Sequence, residues 1–142
     1  MYQFHITIHP RGKLVSAGET CAVEGRRVRT LHVPREAFGE PMAVSFEQAR
    51  AALERLPRIY VEPDGSLVWV SSSNESDRWQ LDGVLYDRAD HLWFVDLSGS
   101  CPPASLDAFL QCLGWPEMPV MFQLTRQALF LDEAEFRGFA AV

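Results

Sequence analysis

Cys101 occupies the position in this chain most suggestive of chemistry. It ends the run Ser98-Gly99-Ser100 and stands just ahead of Pro102-Pro103, where a helix is expected to open. Unpaired amides and the helix dipole at such a place stabilise a thiolate, lowering its pKa and raising its reactivity. A nucleophile also needs a base, and the chain offers His5, His9, His32 and His91. His91 opens the strand that leads to Cys101, which at about 3.3 Å per residue leaves it roughly 30 Å away. The other three can approach only through the fold. Two prolines after the cysteine remove amide donors that an oxyanion hole would use. The plainer reading of Cys101 is a small buried thiol. Cys112, beside Leu113 in a helix, and Cys21, at the start of a strand, read as structural.

The remaining polar constellations are weaker. His5 and His9 share a strand face, but four residues place them about 13 Å apart, too far for one metal. His5 with a cross-strand partner remains open, with no third ligand at readable spacing, so neither a metal nor a cofactor is implied. Asp82, Asp87, Asp90 and Asp96 invite a paired-carboxylate reading, yet Asp87 and Asp90 fit a turn and Asp82 a bulge. Arg27 and Arg29 alternate on one strand face, with Arg11 and Lys13 on a hairpin placed beside it. Those four offer a phosphate or carboxylate site, against the simpler reading of a solvated, charge-protected strand. Trp115 and Met118 lie in GWPEMP (114–119), a loop stiffened by prolines. Trp115 either folds back onto Leu110 or Leu113, or forms with Met118 an exposed patch for a partner or a second copy.

These residues must be positioned by strands. FHITIH (4–9) alternates Phe4, Ile6 and Ile8 with His5, Thr7 and His9, and KLVS (13–16) is expected to return as its hairpin partner. Cys21–Val23 and 26–33 form another hairpin through Glu24-Gly25. SFEQARAALERL (45–56) is a helix, with Ser45 and Gln48 as its capping box and Pro57 as its stop. IYVE (59–62) and LVWVSS (67–72) pair through Pro63-Asp64-Gly65-Ser66. For RWQLDGVLYDRADHLWFVDLSGSC (78–101), a four-residue turn at 87–90 and a bulge setting Asp82-Gly83 against Phe94 put Trp79, Leu81, Val84, Trp93, Val95 and Leu97 on one face. The competing arrangement makes Asp82-Gly83 a two-residue turn. A second helix spans 104–113, its stripe Leu106, Phe109, Leu110 and Leu113 ended by Gly114. The strands 119–124 and 128–131 precede a short helix, 133–139, capped by Asp132 with Glu135. One continuous helix from 126 is the alternative there.

Roughly eight to ten short strands in hairpins, interrupted by helices without regular βαβ alternation, predict an α+β fold. At 142 residues, 47% hydrophobic and 23% charged, the chain reads as one globular domain, 1–142. Three cysteines without a CxxC suggest neither a disulfide framework nor a zinc ribbon. The N-terminus reads as a strand rather than a signal peptide, and no stretch is apolar enough for a membrane span. A reduced, cytoplasmic setting is the expectation. Residues 1–44 carry six cations against four acids and the remainder seven against fifteen, for a net charge of −6. Bulk charge therefore argues against nucleic acid. None of the common catalytic motifs is present. The sequence points to a non-enzymatic interaction or accessory module, with a protein partner or self-association. The alternatives are a small thiol enzyme at Cys101 and a small-anion binder on the basic N-terminal strands.

Overall fold

The computed structural model describes residues 1–142 and has the mixed α+β architecture expected, with nine strands and three helices. Seven strands form one antiparallel sheet in the order β4-β5-β6-β7-β1-β8-β9. Strand β1 (Tyr2–Pro10) is interior, paired on one side with β7 (His91–Cys101) and on the other with β8 (Val120–Leu124). Its apolar alternation explains this place. Ile6 lies opposite Leu97 and Leu124, and Ile8 opposite Val95 and Phe122, so each apolar row runs unbroken across three strands. Ile6 and Ile8 have no exposed surface.

The hairpin expected between β1 and KLVS does not form. Both edges of β1 are already taken, so only Ser16 of that stretch enters a strand, β2 (Ser16–Val23), which pairs with β3 (Arg26–His32). Glu24 and Gly25 make the turn between them, both with positive φ, as a two-residue hairpin requires. This ribbon folds around the β9 edge. Val23 and Val28 join the main core, while Val15 and Leu31 pack with Met121 and Phe130 on the other sheet face.

Helices cover one face only. Helix α1 (Phe46–Leu53) begins in the complete Ser45–Gln48 capping box and is shorter than the expected 45–56, because its last turn tightens ahead of Pro57. Helix α2 (Pro103–Gln111) sinks Leu106, Phe109 and Leu110 against the sheet. Helix α3 (Glu133–Ala140) stacks Phe136 on Phe122, ring centroids 4.2 Å apart. Its cap is half of the expected box, since Asp132 accepts from the Glu135 amide without a reciprocal bond. A continuous helix from 126 is absent, and β9 (Leu129–Leu131) occupies that stretch. One apolar core runs from Tyr2 to Ala140. No helix is long and apolar enough to cross a membrane.

The hairpin of β6 (Gln80–Arg88) and β7 departs from the expected register. Its turn is Ala89-Asp90, with φ of 51° and 68° and Arg88 opposite His91. Tyr86 faces Phe94 and Asp87 faces Leu92, so the extra residue is Trp93, and the bulge lies on β7 rather than at Asp82-Gly83. Leu85 and Leu92 consequently join Leu81, Val95 and Leu97 in the core, and Val84 and Trp93 are only half-buried. Asp82 and Gly83 are continuous strand, opposite Ser98 and Leu97. Glycine at 83 answers a close approach, because a Cβ there would sit 2.6 Å from the Asp96 carbonyl oxygen and 2.9 Å from Leu97 Cδ1. The β4 (Ile59–Val61) and β5 (Ser66–Val70) hairpin forms as expected, with Asp64 Oδ1 accepting from the Ser66 amide and hydroxyl. Those bonds hold the exposed Asp64 carboxyl below its usual pKa, the Ser66 side chain first.

Gly83→Ala is expected to lower unfolding free energy by about 1–3 kcal/mol, the cost of forcing a methyl into filled space. Urea denaturation measures it. An unchanged midpoint would mean that β6 and β7 do not approach as closely as described.

Candidate functional site

Cys101 is the last residue of β7, opposite Tyr2, and its side chain faces the helices with no exposed surface. Burial pushes its thiol up to about 12, and a hydrogen bond from the Leu106 backbone lowers it too little to offset this. His5 and His9 project from the opposite face of the sheet, and His32 and His91 are exposed at strand ends, so no imidazole is buried beside it. The thiolate argued from the helix N-terminus is thus overruled by desolvation. Cys112 donates to the Ala108 carbonyl at 3.3 Å, and burial raises its pKa as well.

On the outer face, His5, Thr7 and His9 stand in line as the alternation of β1 dictates. His9 Nε2 lies 2.7 Å from Thr7 Oγ1, and that hydroxyl donates to Gln123 Oε1 at 3.2 Å. The single hydroxyl proton is thereby used, so His9 donates through Nε2 as a neutral imidazole. Its ring stacks on Phe94 at 5.4 Å and meets the edge of Phe130 at 5.3 Å. Tyr86 continues the ladder beyond Phe94, and Phe38 beyond Phe130. Desolvation holds the His9 pKa down to about 4. The 3₁₀ turn Arg35–Gly39 partly covers this ladder through Phe38, whose carbonyl accepts from the Trp93 indole. His9 is a packed residue rather than a base facing a substrate.

His5 does find a cross-strand partner, Asp96, at 3.4 Å, but no three His, Cys, Asp or Glu side chains gather within reach of one metal. Asp82 accepts from its strand neighbour Gln80. Asp87 sits at the hairpin end and Asp90 in its turn. Asp87 and Asp90 line one cleft with Glu47 and Asp64, while Asp82 and Asp96 lie further along the sheet, so the four aspartates are not gathered into one site.

Trp115 takes the fold-back course. Its amide donates to the Leu110 carbonyl, its indole donates to Glu133 at 2.7 Å, and the Arg137 guanidinium lies 5.6 Å from its ring. Met118 turns inward as well, its sulfur accepting from the Ala43 amide. Both are half-buried, so the exposed patch is not formed as such. Arg137 binds Asp107 at 2.6 Å, Glu133 at 3.0 Å and the Tyr2 hydroxyl at 3.3 Å, joining α2, α3 and β1. Although burial alone would lower its pKa, the bonds to Tyr2, Asp107 and Glu133 raise it.

The four cations expected to bind an anion are not assembled. Arg27 and Arg29 are exposed on the ribbon, opposite Ala22 and Thr20, and Arg11 and Lys13 lie beyond β1 without a strand beside them. Of the four, only Arg27 lines a principal cleft. A different basic site lies at the strand ends. Two adjoining clefts, of about 600 and 650 Å³, share Gln3 and Gly99 and form one groove. Its middle is Gln80, Ser100 and Gln3, opposite one another on β6, β7 and β1. Arg78 stands at one end, and Arg26 and Arg126 at the other, with His5 and Glu24 on the rim. None of the three arginines pairs with a carboxylate. Arg26 donates to the Phe139 carbonyl at the end of α3, whereas Arg78 and Arg126 extend into solvent. Residues 26, 78 and 126 share no motif, and the one local signal is the proximity of Arg26 to Arg27 and Arg29.

Comparison with known protein families, characterised proteins and solved structures finds no match.

The buried groups generate two expected outcomes. In native buffer at pH 8, iodoacetamide should modify Cys101 on the order of a thousandfold more slowly than a free thiol, as a thiol at about 12 rather than 9.0 requires. Peptide mass mapping reads this, and labelling at the free-thiol rate would contradict the sealed position. His9 is protonated first in the unfolded chain as pH falls, since its folded pKa is the lower. Its contribution is therefore complete above about pH 6.5 and is lost progressively towards pH 4, by up to about 3 kcal/mol. His9→Phe should flatten the fall in urea stability between pH 7 and 4.5. Parallel pH profiles for variant and wild type would refute the neutral, packed His9.

Proposed function

We propose that this chain is a non-enzymatic interaction module, and that the groove across the strand ends is its recognition surface. The observation carrying this reading is three arginines without carboxylate partners around one polar groove, in a chain whose net charge is −6. Arginines without a salt-bridge partner are available to an outside anion, and such charge steers a partner and fixes its orientation. Catalysis has less support, because no nucleophile, base and orienting group converge. The small-anion reading is retained in altered form, moved from Arg11, Lys13, Arg27 and Arg29 to Arg26, Arg78 and Arg126. A reduced, cytoplasmic setting belongs to the same proposal and accords with three free cysteines. The partner is a protein, and a second copy of the chain is the variant of this reading.

The test is photo-cross-linking in the organism that carries the protein. With p-benzoylphenylalanine at Gln3, in the groove, an adduct of defined higher mass should form. The same group at exposed Gln111 on α2 should give none, and Arg78→Glu with Arg126→Glu should abolish the Gln3 adduct. An adduct at twice the chain's mass identifies self-association. Absence of any adduct, or equal adducts from both positions, would end the proposal.

A further inference from the structure

Resting on the interaction reading, we infer that the groove takes an extended acidic peptide segment of a partner protein, four or five residues long, lying across the strand ends with carboxylates at Arg78 and at Arg126. Length comes from the sheet. Gln80, Ser100 and Gln3 occupy three adjacent strands, and Arg126 lies just past β8, the next strand beyond β1. Three strand spacings make about 14 Å, which an extended chain covers in four or five residues at about 3.3 Å each. The span between the arginines is therefore that of a short peptide, and it exceeds a single phosphate or carboxylate.

The middle of the groove agrees with a backbone. Gln3 presents an amide donor and a carbonyl acceptor, Gln80 a carbonyl acceptor while its own amide donates to Asp82, and Ser100 a hydroxyl that does both. A peptide offers N–H and C=O groups in alternation, so both functions are used. A bare oxyanion accepts only, and would leave the acceptors unmatched.

The ends supply charge selection. Arg78 and Arg126 are exposed, have no protein hydrogen bond and have no acid within salt-bridge distance. The guanidinium fork suits a carboxylate, which it grips through two parallel bonds. Arg26 adds field at the Arg126 end while its own N–H remains on the Phe139 carbonyl.

Single-stranded nucleic acid fits less well. Such ligands stack their bases on exposed aromatic faces, and the groove's three aromatics are each engaged within the protein, the half-buried Phe4 with Phe136. Trp79 is buried against Trp69 with its ring edge-on, and the Phe139 face is taken by Arg26.

The probe is a fluorescein-labelled pentapeptide of glutamate and aspartate with blocked ends, read by fluorescence anisotropy. Its glutamine and asparagine counterpart, a labelled five-nucleotide DNA strand and inorganic phosphate serve as comparisons. Saturable binding of the acidic peptide is expected, with Arg78→Ala and Arg126→Ala each weakening it about five- to tenfold. Both sites are exposed, and circular dichroism confirms that the variants fold. The neutral peptide should not bind, and phosphate at tenfold excess over the peptide should not displace it. The inference is overturned by absence of binding, wild-type affinity in both variants, equal binding of the neutral peptide, displacement by that phosphate, or tighter binding of the DNA. A Gln3 adduct in cells with no acidic-peptide binding overturns the occupant and leaves the interaction module standing. Loss of both removes both.

Discussion

Everything in this molecule is arranged around β1, whose two edges are paired with strands from the far end of the chain. Tyr2–Pro10 has an apolar face that must be buried and two rows of backbone groups that must be bonded. Neighbouring residues satisfy neither need, since KLVS remains outside the sheet. Residues 91–101 and 120–124 satisfy both. Because each is antiparallel to β1, β7 and β8 run parallel to one another, and their connection has to cross the sheet face. Helix α2 is that crossing, and its Leu106, Phe109 and Leu110 cover the apolar rows that β1 completes. Arg137 then ties the arrangement together, reaching Asp107 on α2, Glu133 on its own helix and Tyr2 on β1.

Elements set by neighbouring residues are legible in the sequence, and distant pairing is not. Ser45 with Gln48 and Asp132 with Glu135 mark helix starts because a cap acts within one turn. The Glu24-Gly25 and Asp64-Gly65 turns are readable because glycine favours the conformation they need. Ala89-Asp90 makes a two-residue turn without glycine, both residues having positive φ, so its usual mark is missing. Once that turn is shortened by two residues, the hydrophobic pattern can be kept only by an extra residue elsewhere. The bulge does this at Trp93. Gly83, expected at a bulge, serves instead the close contact with Asp96 and Leu97. A glycine within a strand can mark either a bulge or a tight interstrand contact, and the residue type alone does not distinguish them.

The same limit explains the sites. The Pro102-Pro103 helix start makes Cys101 look reactive, yet the strand residues on its N-terminal side carry more information. Val95, Leu97, Gly99 and Cys101 alternate on one side of β7, and that side is the core. Strand parity decides the matter over helix position, because desolvation of a thiolate outweighs the field of a helix end whose first residues are prolines. Trp115 is likewise governed by its local environment, with Leu110 close in sequence and Glu133 supplied by the fold. The groove has no motif of its own, since Arg26, Arg78 and Arg126 come to it only because β3 and β6 start, and β8 stops, at one edge of the structure.

The two faces of the sheet therefore carry separate duties. The inner face is closed by helices and contains nearly all the buried apolar side chains. The outer face is divided along the strands, with the Tyr86–Phe94–His9–Phe130 ladder towards one end and glutamine, serine and arginine towards the other. Aromatic packing stiffens the first region without needing solvent or ligand. In the second, Arg78 and Arg126 cost the fold little, because exposed charges are well screened even when unpaired. Gln3 and Gln80 are exposed as well, although their backbones lie in the rigid pairing of β1, β6 and β7. Side chains free to vary on strands that are not free to move make a surface whose specificity can change without altering the fold beneath it.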